Sequence, residues 1–350
     1  MRMRGVFLIT GIMSISVILT GCLQGEQSLI DPPQDAAEVN STENKDSMDT
    51  KGQTEEETEE TVERQLFLID SNGMVVPQTL ELPVTNEVAE QALDYLVKDG
   101  PVTQLLPNGF RAVLPAGTEV LGVDITEDGT MIVDVSNDFK EYKAEEELEI
   151  LQAMTYTMTQ FDNVDKIKLW INGYPVNNMP VSGTPVSDGY SRANGINMIQ
   201  TDTTDYLATT PVTLYYPTAH NDINYYVPVT QYVDMEGVSD YESIVSAMIE
   251  GPQYNTNLID VFNSSTSLVE EPKLDDGVLE LVFNNEILLD EENAVIADDI
   301  IETLVRTLTE NKEVKAVDVR VNQVEQIFNE SGKAYTEPVT KKMITPAEKL

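Results

Sequence analysis

Residues 120–135 read VLGVDITEDGTMIVDV, and the fold turns on how that run is read. Val120–Ile125 alternates apolar with polar or small residues, and Asp128-Gly129 follows as a turn signal. Met131, Val133 and Val135 then alternate with Ile132, Asp134 and Ser136. Period-two runs on either side of an Asp-Gly pair are a strong short-range hairpin signal. Beyond them Leu148, Leu151, Met154, Met158 and Phe161 recur at helical spacing, and Ile167, Leu169 and Ile171 alternate once more. The stretch from residue 117 to residue 173 therefore reads hairpin, helix, strand.

Most of that stretch is written again further down the chain. Met131, Val133 and Val135 correspond to Leu279, Leu281 and Phe283, which follow a second turn at Asp276-Gly277. Leu151, Met154 and Met158 correspond to Ile301, Leu304 and Leu308. Thr157-Met158-Thr159-Gln160 becomes Thr307-Leu308-Thr309-Glu310, and Leu169-Trp170-Ile171-Asn172 becomes Val319-Arg320-Val321-Asn322. Two copies of this length argue for tandem domains, since solenoid units run roughly 20–50 residues. Each copy is long enough to bury a core of its own. The expected class is α+β: two tandem copies of a small domain, each a mostly antiparallel sheet with two helices on one face.

The chain has 350 residues, 41% of them hydrophobic, and a net charge of −40. The charge is not confined to one tail. Residues 26–63 hold 13 acids against 2 lysines, which leaves 48 acids and 17 bases for residues 64–350. So acidic a body repels phosphate backbones and anionic headgroups, which argues against nucleic-acid binding. It also favours cationic partners or bound divalent ions, although most acidic surfaces are simply solvated. With one cysteine and one histidine, an internal disulfide is impossible and a His/Cys metal cluster is excluded.

Taken in order, the chain opens with Arg2 and Arg4 ahead of a mostly apolar run from Val6 to Leu19, the shape of a signal peptide over residues 1–21. It ends in Leu19-Thr20-Gly21-Cys22, which resembles the bacterial lipobox. The resemblance implies that Cys22 is lipidated, with palmitate among the acyl chains, and becomes the first mature residue. Two chains on one cysteine suffice for stable anchoring. Residues 22–63 then read as an acidic, disordered tether that could hold the body on the order of 30–40 Å from the membrane. The first domain is expected over residues 64–180, with a hairpin turning at Asn72-Gly73, an edge strand carrying Pro77, and a helix from Asn86 to Val97 that Gly100-Pro101 ends. Residues 181–208 read either as a loose linker or as a loop packed on both domains. The second domain is expected over 209–330, with Pro228 in the place of Pro77 and a capping box at Ser239-Asp240-Tyr241-Glu242. Pro272 interrupts the strand before its Asp-Gly turn, and residues 331–350 read as a polar tail.

The assembled pattern is similar to the GerMN domain family. The residues that carry this are Ala92-Leu93-Asp94-Tyr95-Leu96-Val97 with Gly100-Pro101-Val102, the run Leu106-Pro107-Asn108-Gly109-Phe110-Arg111-Ala112-Val113-Leu114-Pro115, and Gly183-Thr184-Pro185. The match is specific in the first copy and looser in the second, which lacks the proline loop. The resemblance implies a non-enzymatic lipoprotein of endospore-forming bacteria, needed for sporulation and germination and active in a transenvelope channel-like complex. It would sit on the outer face of the mother-cell membrane, facing the intermembrane space. It also implies domains like the ring-building motifs of secretion systems, and no cofactor or catalytic residue.

The residues themselves offer little chemistry. His220 lies in an Asn/Asp-rich turn and reads as a surface residue, no serine sits in a nucleophile motif, and the acids after Asp124 lack EF-hand spacing. The alternation in residues 167–171 sends Lys168 and Trp170 outward, and Arg320 stands in the place of Trp170 in the second copy. Exposed aromatic and arginine residues anchor interfaces, so Trp170, Arg320, Phe110 and Arg111 are the candidate contact residues. The other reading has Trp170 covered by the inter-repeat loop or the other domain, and Phe110-Arg111 folded onto its own domain. Three functions compete: an assembly protein, with protein partners or copies of itself; a two-lobed solute- or cation-binding lipoprotein; and an enzyme. No convergent titratable set supports the last.

Overall fold

The computed structural model describes residues 60–161, 163–198, 209–221, 223–235, 239–252 and 256–344. The signal peptide, Cys22 and nearly all of the tether lie outside the described residues. The described residues form one compact unit.

The first copy begins with an antiparallel hairpin, β1 (Thr61–Ile69) and β2 (Val75–Pro83), in which Phe67 faces Pro77. Its turn is tied by Asp70, whose carboxylate accepts the backbone N–H groups of Asn72 and Met74. Helix α1 (Val88–Asp94) is shorter than the sequence suggests, and no side chain caps it. It stops because Leu96 and Lys98 turn away to pair with the proline loop: Val113 and Leu114 donate to the Leu96 carbonyl, and Lys98 N–H donates to that of Leu114. Strands β3 (Val120–Ile125) and β4 (Thr130–Val135) then form the expected hairpin. Helix α2 (Glu147–Met158) crosses over to β5 (Lys166–Ile171), which lies parallel to β4. Short antiparallel pieces, β6 (Tyr174–Pro175) and β7 (Tyr190–Ser191), complete the sheet on β5.

The second copy repeats this order. A longer hairpin, β8 (Thr209–His220) and β9 (Ile223–Asp234), pairs Tyr215 with Pro228. Helix α3 (Asp240–Glu250) follows, N-capped by the Ser239 hydroxyl, which accepts from Glu242 N–H. Next come β10 (Lys273–Asp275), β11 (Val278–Phe283), a small ladder of β12 (Leu288–Asp290) with β13 (Val295–Ile296), helix α4 (Asp298–Leu308) and β14 (Ala316–Val321). Strand β14 runs parallel to β11, as β5 does to β4. The fold is thus α+β in two tandem copies, with mostly antiparallel pairing around one parallel central pair in each.

Besides the shorter α1, three details depart from the sequence reading, and one open alternative is decided. Strand β1 begins at Thr61, just inside the expected tether. Of the two readings of the inter-repeat segment, the described residues 181–198 fit the loop packed on both domains: β7 pairs with β5, Val186 and Ile196 are buried, and Ile196 N–H donates to the Thr230 hydroxyl of the second copy. The C-terminal segment is no free tail up to residue 344, because β15 (Val339–Thr340) pairs with β14 and α5 (Lys341–Ile344) packs on α4. Leu148 leaves its expected stripe and is 51% exposed, whereas Leu151, Met154, Met158 and Phe161 are buried. Helix α2 buries almost its whole circumference, since it touches β1, β2, α1 and β5.

Candidate interaction sites and the seam between the copies

One backbone device is common to both copies. The Thr157 hydroxyl accepts the N–H of Phe67 at 3.0 Å, and the Thr307 hydroxyl accepts the N–H of Tyr215 at 3.0 Å. Each tacks a hairpin strand to the crossover helix, and each satisfies a buried donor that would otherwise be costly. Three residues on, the copies diverge. Gln160 donates its amide to the carbonyls of Gln65 and Thr157 within its own domain. Its counterpart Glu310 reaches across to the first domain, where Arg192 Nη1 lies 2.6 Å from its carboxylate.

That pair anchors a seam along which the two copies are fused. The Arg192 guanidinium stacks 4.4 Å over the Tyr156 ring and donates to the Thr159 hydroxyl and the Tyr156 carbonyl. Glu310 also accepts from the Tyr215 hydroxyl at 3.0 Å and the Lys341 ammonium at 3.3 Å. Burial alone would raise the Glu310 carboxyl; the Arg192 and Lys341 charges, with the Tyr215 hydroxyl, outweigh it and hold it at about 2. Further along, Asn197 exchanges hydrogen bonds with the backbone of Val75 and donates to the Pro228 carbonyl. Thr230 N–H donates to the Ile196 carbonyl, while Ile196 N–H donates to the Thr230 hydroxyl.

At the far end the Tyr225 hydroxyl donates to Asp70 at 2.8 Å, and burial together with that carboxylate pushes the phenol up. Phe110 packs edge-on against the Tyr225 ring, centroids 5.0 Å apart. His220 closes this end, with Nδ1 3.2 Å from the Ser71 hydroxyl. Its ring lies so close to Gly109 (φ +91°) that any Cβ there would collide with it. Lys312 and Asp165 form an outer ion pair across the same seam. The apolar cores of the two copies join into one cluster behind these groups.

The two outward sheet faces differ. On the first, Ile132, Asp134, Lys168 and Trp170 share the face opposite the core, and Trp170 is half-buried beside Asp134 and Pro175. On the second, Arg320 lies 2.8 Å from both Glu280 and Asp318, and Lys273 joins Glu280 and Glu270. Among the described residues, no group of three His, Cys, Asp or Glu side chains is placed to hold a metal ion. An open groove of about 590 Å³ lies between residues 94–101 and 117–121 of the first copy.

The Germane family, described as sporulation and spore germination, matches residues 65–177 and 213–326, one match per copy. The spore germination protein GerM of Bacillus subtilis (strain 168) is 44% identical over 345 residues, 94% of each chain. The solved structure of the tandem GerMN domains of the sporulation protein GerM from Bacillus subtilis superposes with a TM-score of 0.75 at 46% identity, covering 80% of this chain and 97% of that one. The chain belongs to the Germane family.

The GerMN motif residues now have structural jobs. The loop over residues 106–115 carries Phe110, which is 7% exposed and fills the seam against Tyr225. It is therefore no free contact residue: its ring meets Tyr225 of the opposite copy within the shared core. Arg111 is exposed, ion-paired with Glu149 at 3.5 Å, and its backbone bridges Ile69. The turn at Gly183-Thr184 is held by Glu147, a buried carboxylate that accepts the N–H groups of Val181, Ser182 and Thr184 and the hydroxyls of Thr184 and Tyr142. Burial would raise Glu147, but these donors outweigh it and lower its pKa. His220, read as a surface turn residue, sits at the hairpin tip and also closes the seam. Sequence reasoning missed Arg192 and Glu310; the one available signal was the Gln160-to-Glu310 change between the repeats.

Proposed function

We propose that the chain is a lipid-anchored assembly protein of sporulation and germination that works through contacts of its GerMN domains and performs no chemistry. The observation that carries this is how the buried and half-buried ionisable groups are used. Arg192, Glu310, Asp70, Tyr225 and Glu147 are spent on joining and bracing the copies and do not converge on a cavity. Among the described residues, the seam between the copies is occupied by these polar groups and by a shared apolar cluster. What remains is the outer surface, and the two sheet faces offer unlike patches around Trp170 and Arg320. Head-to-tail contacts between unlike faces can close into rings.

On this reading Cys22 anchors the chain to the outer face of the mother-cell membrane, with the intermembrane space before it. The body then joins an envelope-spanning, channel-like complex, contacting protein partners and further copies of itself. Confinement to a surface raises the effective concentration and lets weak contacts act. In dilute solution the −40 charge opposes self-association. The tests are Cys22→Ala, expected to leave a precursor without lipid, and Trp170→Glu, expected to mislocalise a folded protein in sporulating cells. Normal localisation and sporulation with folded Trp170→Glu would remove that face as the contact. A hydrolytic activity abolished by one carboxylate change would overturn the reading as a whole.

A further inference from the structure

We propose that strand β3 is a docking edge on which an extended, basic segment of a partner protein adds to the first sheet as a further strand. This deepens the assembly reading by naming the contact and the partner's chemistry. Strand β3 has a single neighbour, β4, and ends its sheet. Among the described residues, no hydrogen bond from another element reaches residues 121–125 on the outer rim. An edge of this kind is a template for pairing, and proteins usually blunt it with short strands, lysine or proline.

The same chain supplies the comparison. In the second copy the matching edge, β10, is only three residues long. In register, Asp124 opposite Ile132 corresponds to Lys273 opposite Glu280, so Val123 stands where the second copy has Pro272. The second edge carries a lysine and a preceding proline; β3 carries neither, and beyond a bulge after Val120 it pairs continuously from Gly122 to Ile125. A bulge between Val120 and Gly122 leaves Leu121 48% exposed on the wall of the 590 Å³ groove beside β3. An incoming strand would gain an apolar contact there.

Charge selects the occupant. Asp94, Asp99 and Glu119 line the groove, and among the described residues none of them, nor Asp124, has an ion-pair partner. The groove's Lys98 is taken by Glu146 at 2.7 Å. Burial and the neighbouring Glu90 push the Asp94 carboxyl up, as an uncompensated acid behaves. The chain's own segment 26–63, with 13 acids and 2 lysines, is repelled from such a groove, which leaves a basic partner. Main-chain pairing would then supply affinity, and alternate side chains specificity.

The probe is a fluorescent eight-residue peptide of alternating Lys and Val, titrated by anisotropy against the full chain in detergent, with a Glu/Val peptide as control. The Lys/Val peptide should bind, weaken as salt rises, and slow amide exchange in residues 121–125. Val123→Pro with Asp124→Lys, which copies the second domain's edge, should weaken binding at least tenfold. Asp124→Lys alone, and Asp94→Asn with Glu119→Gln, leave the strand intact and should each weaken it severalfold. Equal binding of the Glu/Val peptide, unchanged affinity in these variants, or protection elsewhere would overturn the proposal, as would no binding at millimolar peptide. Localisation of Trp170→Glu in cells tests the assembly reading separately, so one can fail while the other stands.

Discussion

At the scale of single residues, the change from Gln160 to Glu310 separates a domain that closes on itself from one that holds its neighbour. The amide satisfies local carbonyls, whereas the carboxylate draws Arg192 across the seam at 2.6 Å. Arg192→Met leaves the partly buried Glu310 with only Lys341 and Tyr215 as partners, so it should destabilise by about 1–3 kcal/mol. Adding Glu310→Gln should restore most of the loss, as measured by urea unfolding. The same pair sets the acid limit. A carboxyl held at about 2 in the fold, against an ordinary value of 4.5 unfolded, contributes stability that is full above the unfolded pKa. That contribution is lost as pH falls from the ordinary carboxylate range toward 2. Unfolding free energies at pH 7 and pH 3 should therefore differ less in Glu310→Gln than in the parent.

At the scale of elements, the repeated Thr-x-Thr run was legible as a repeat but not as a fastener. Thr157→Val would strand the buried N–H of Phe67, and Thr307→Val that of Tyr215. Each should cost about 1–3 kcal/mol by equilibrium unfolding. Leu304, fully buried on α4, belongs to the stripe the sequence does reveal, and Leu304→Ala should cost about 2–5 kcal/mol. The elements that sequence reasoning misplaced share one cause. Helix α1 stops early, and β15 pairs with β14 where a tail was expected, because distant backbone groups offer them partners. Local propensity contains no term for such partners.

At the scale of the whole molecule, the two copies share one core and one polar seam, so they should not behave as beads on a string. Phe110→Ala removes a ring that one copy lends to the other, at a cost of about 3–5 kcal/mol. Hydrogen exchange should report lost protection in both copies, at β1–β2 and at β8–β9 together. Protection lost only in the first copy would mean that the seam does not couple them. Calorimetry of the chain should likewise show one transition for the body where separate domains would give two.

The sequence by itself determined the α+β class, the duplication, both Asp-Gly hairpins and the existence of a strand after each helix, but not that this strand runs parallel to its neighbour. These rest on short-range periodicity and turn chemistry, which neighbouring residues specify. It also determined the family, through runs such as Gly100-Pro101 and the loop over 106–115. Tertiary structure decided what those runs are for. Phe110, which a linear reading left open between an outer contact and a loop folded on its own domain, is buried against Tyr225 of the second hairpin. Arg192, unremarked in a polar segment, became the central cation because Glu310, 118 positions away, folds back against it. Pairings at such separation depend on how two cores meet, and no local pattern of residues encodes that.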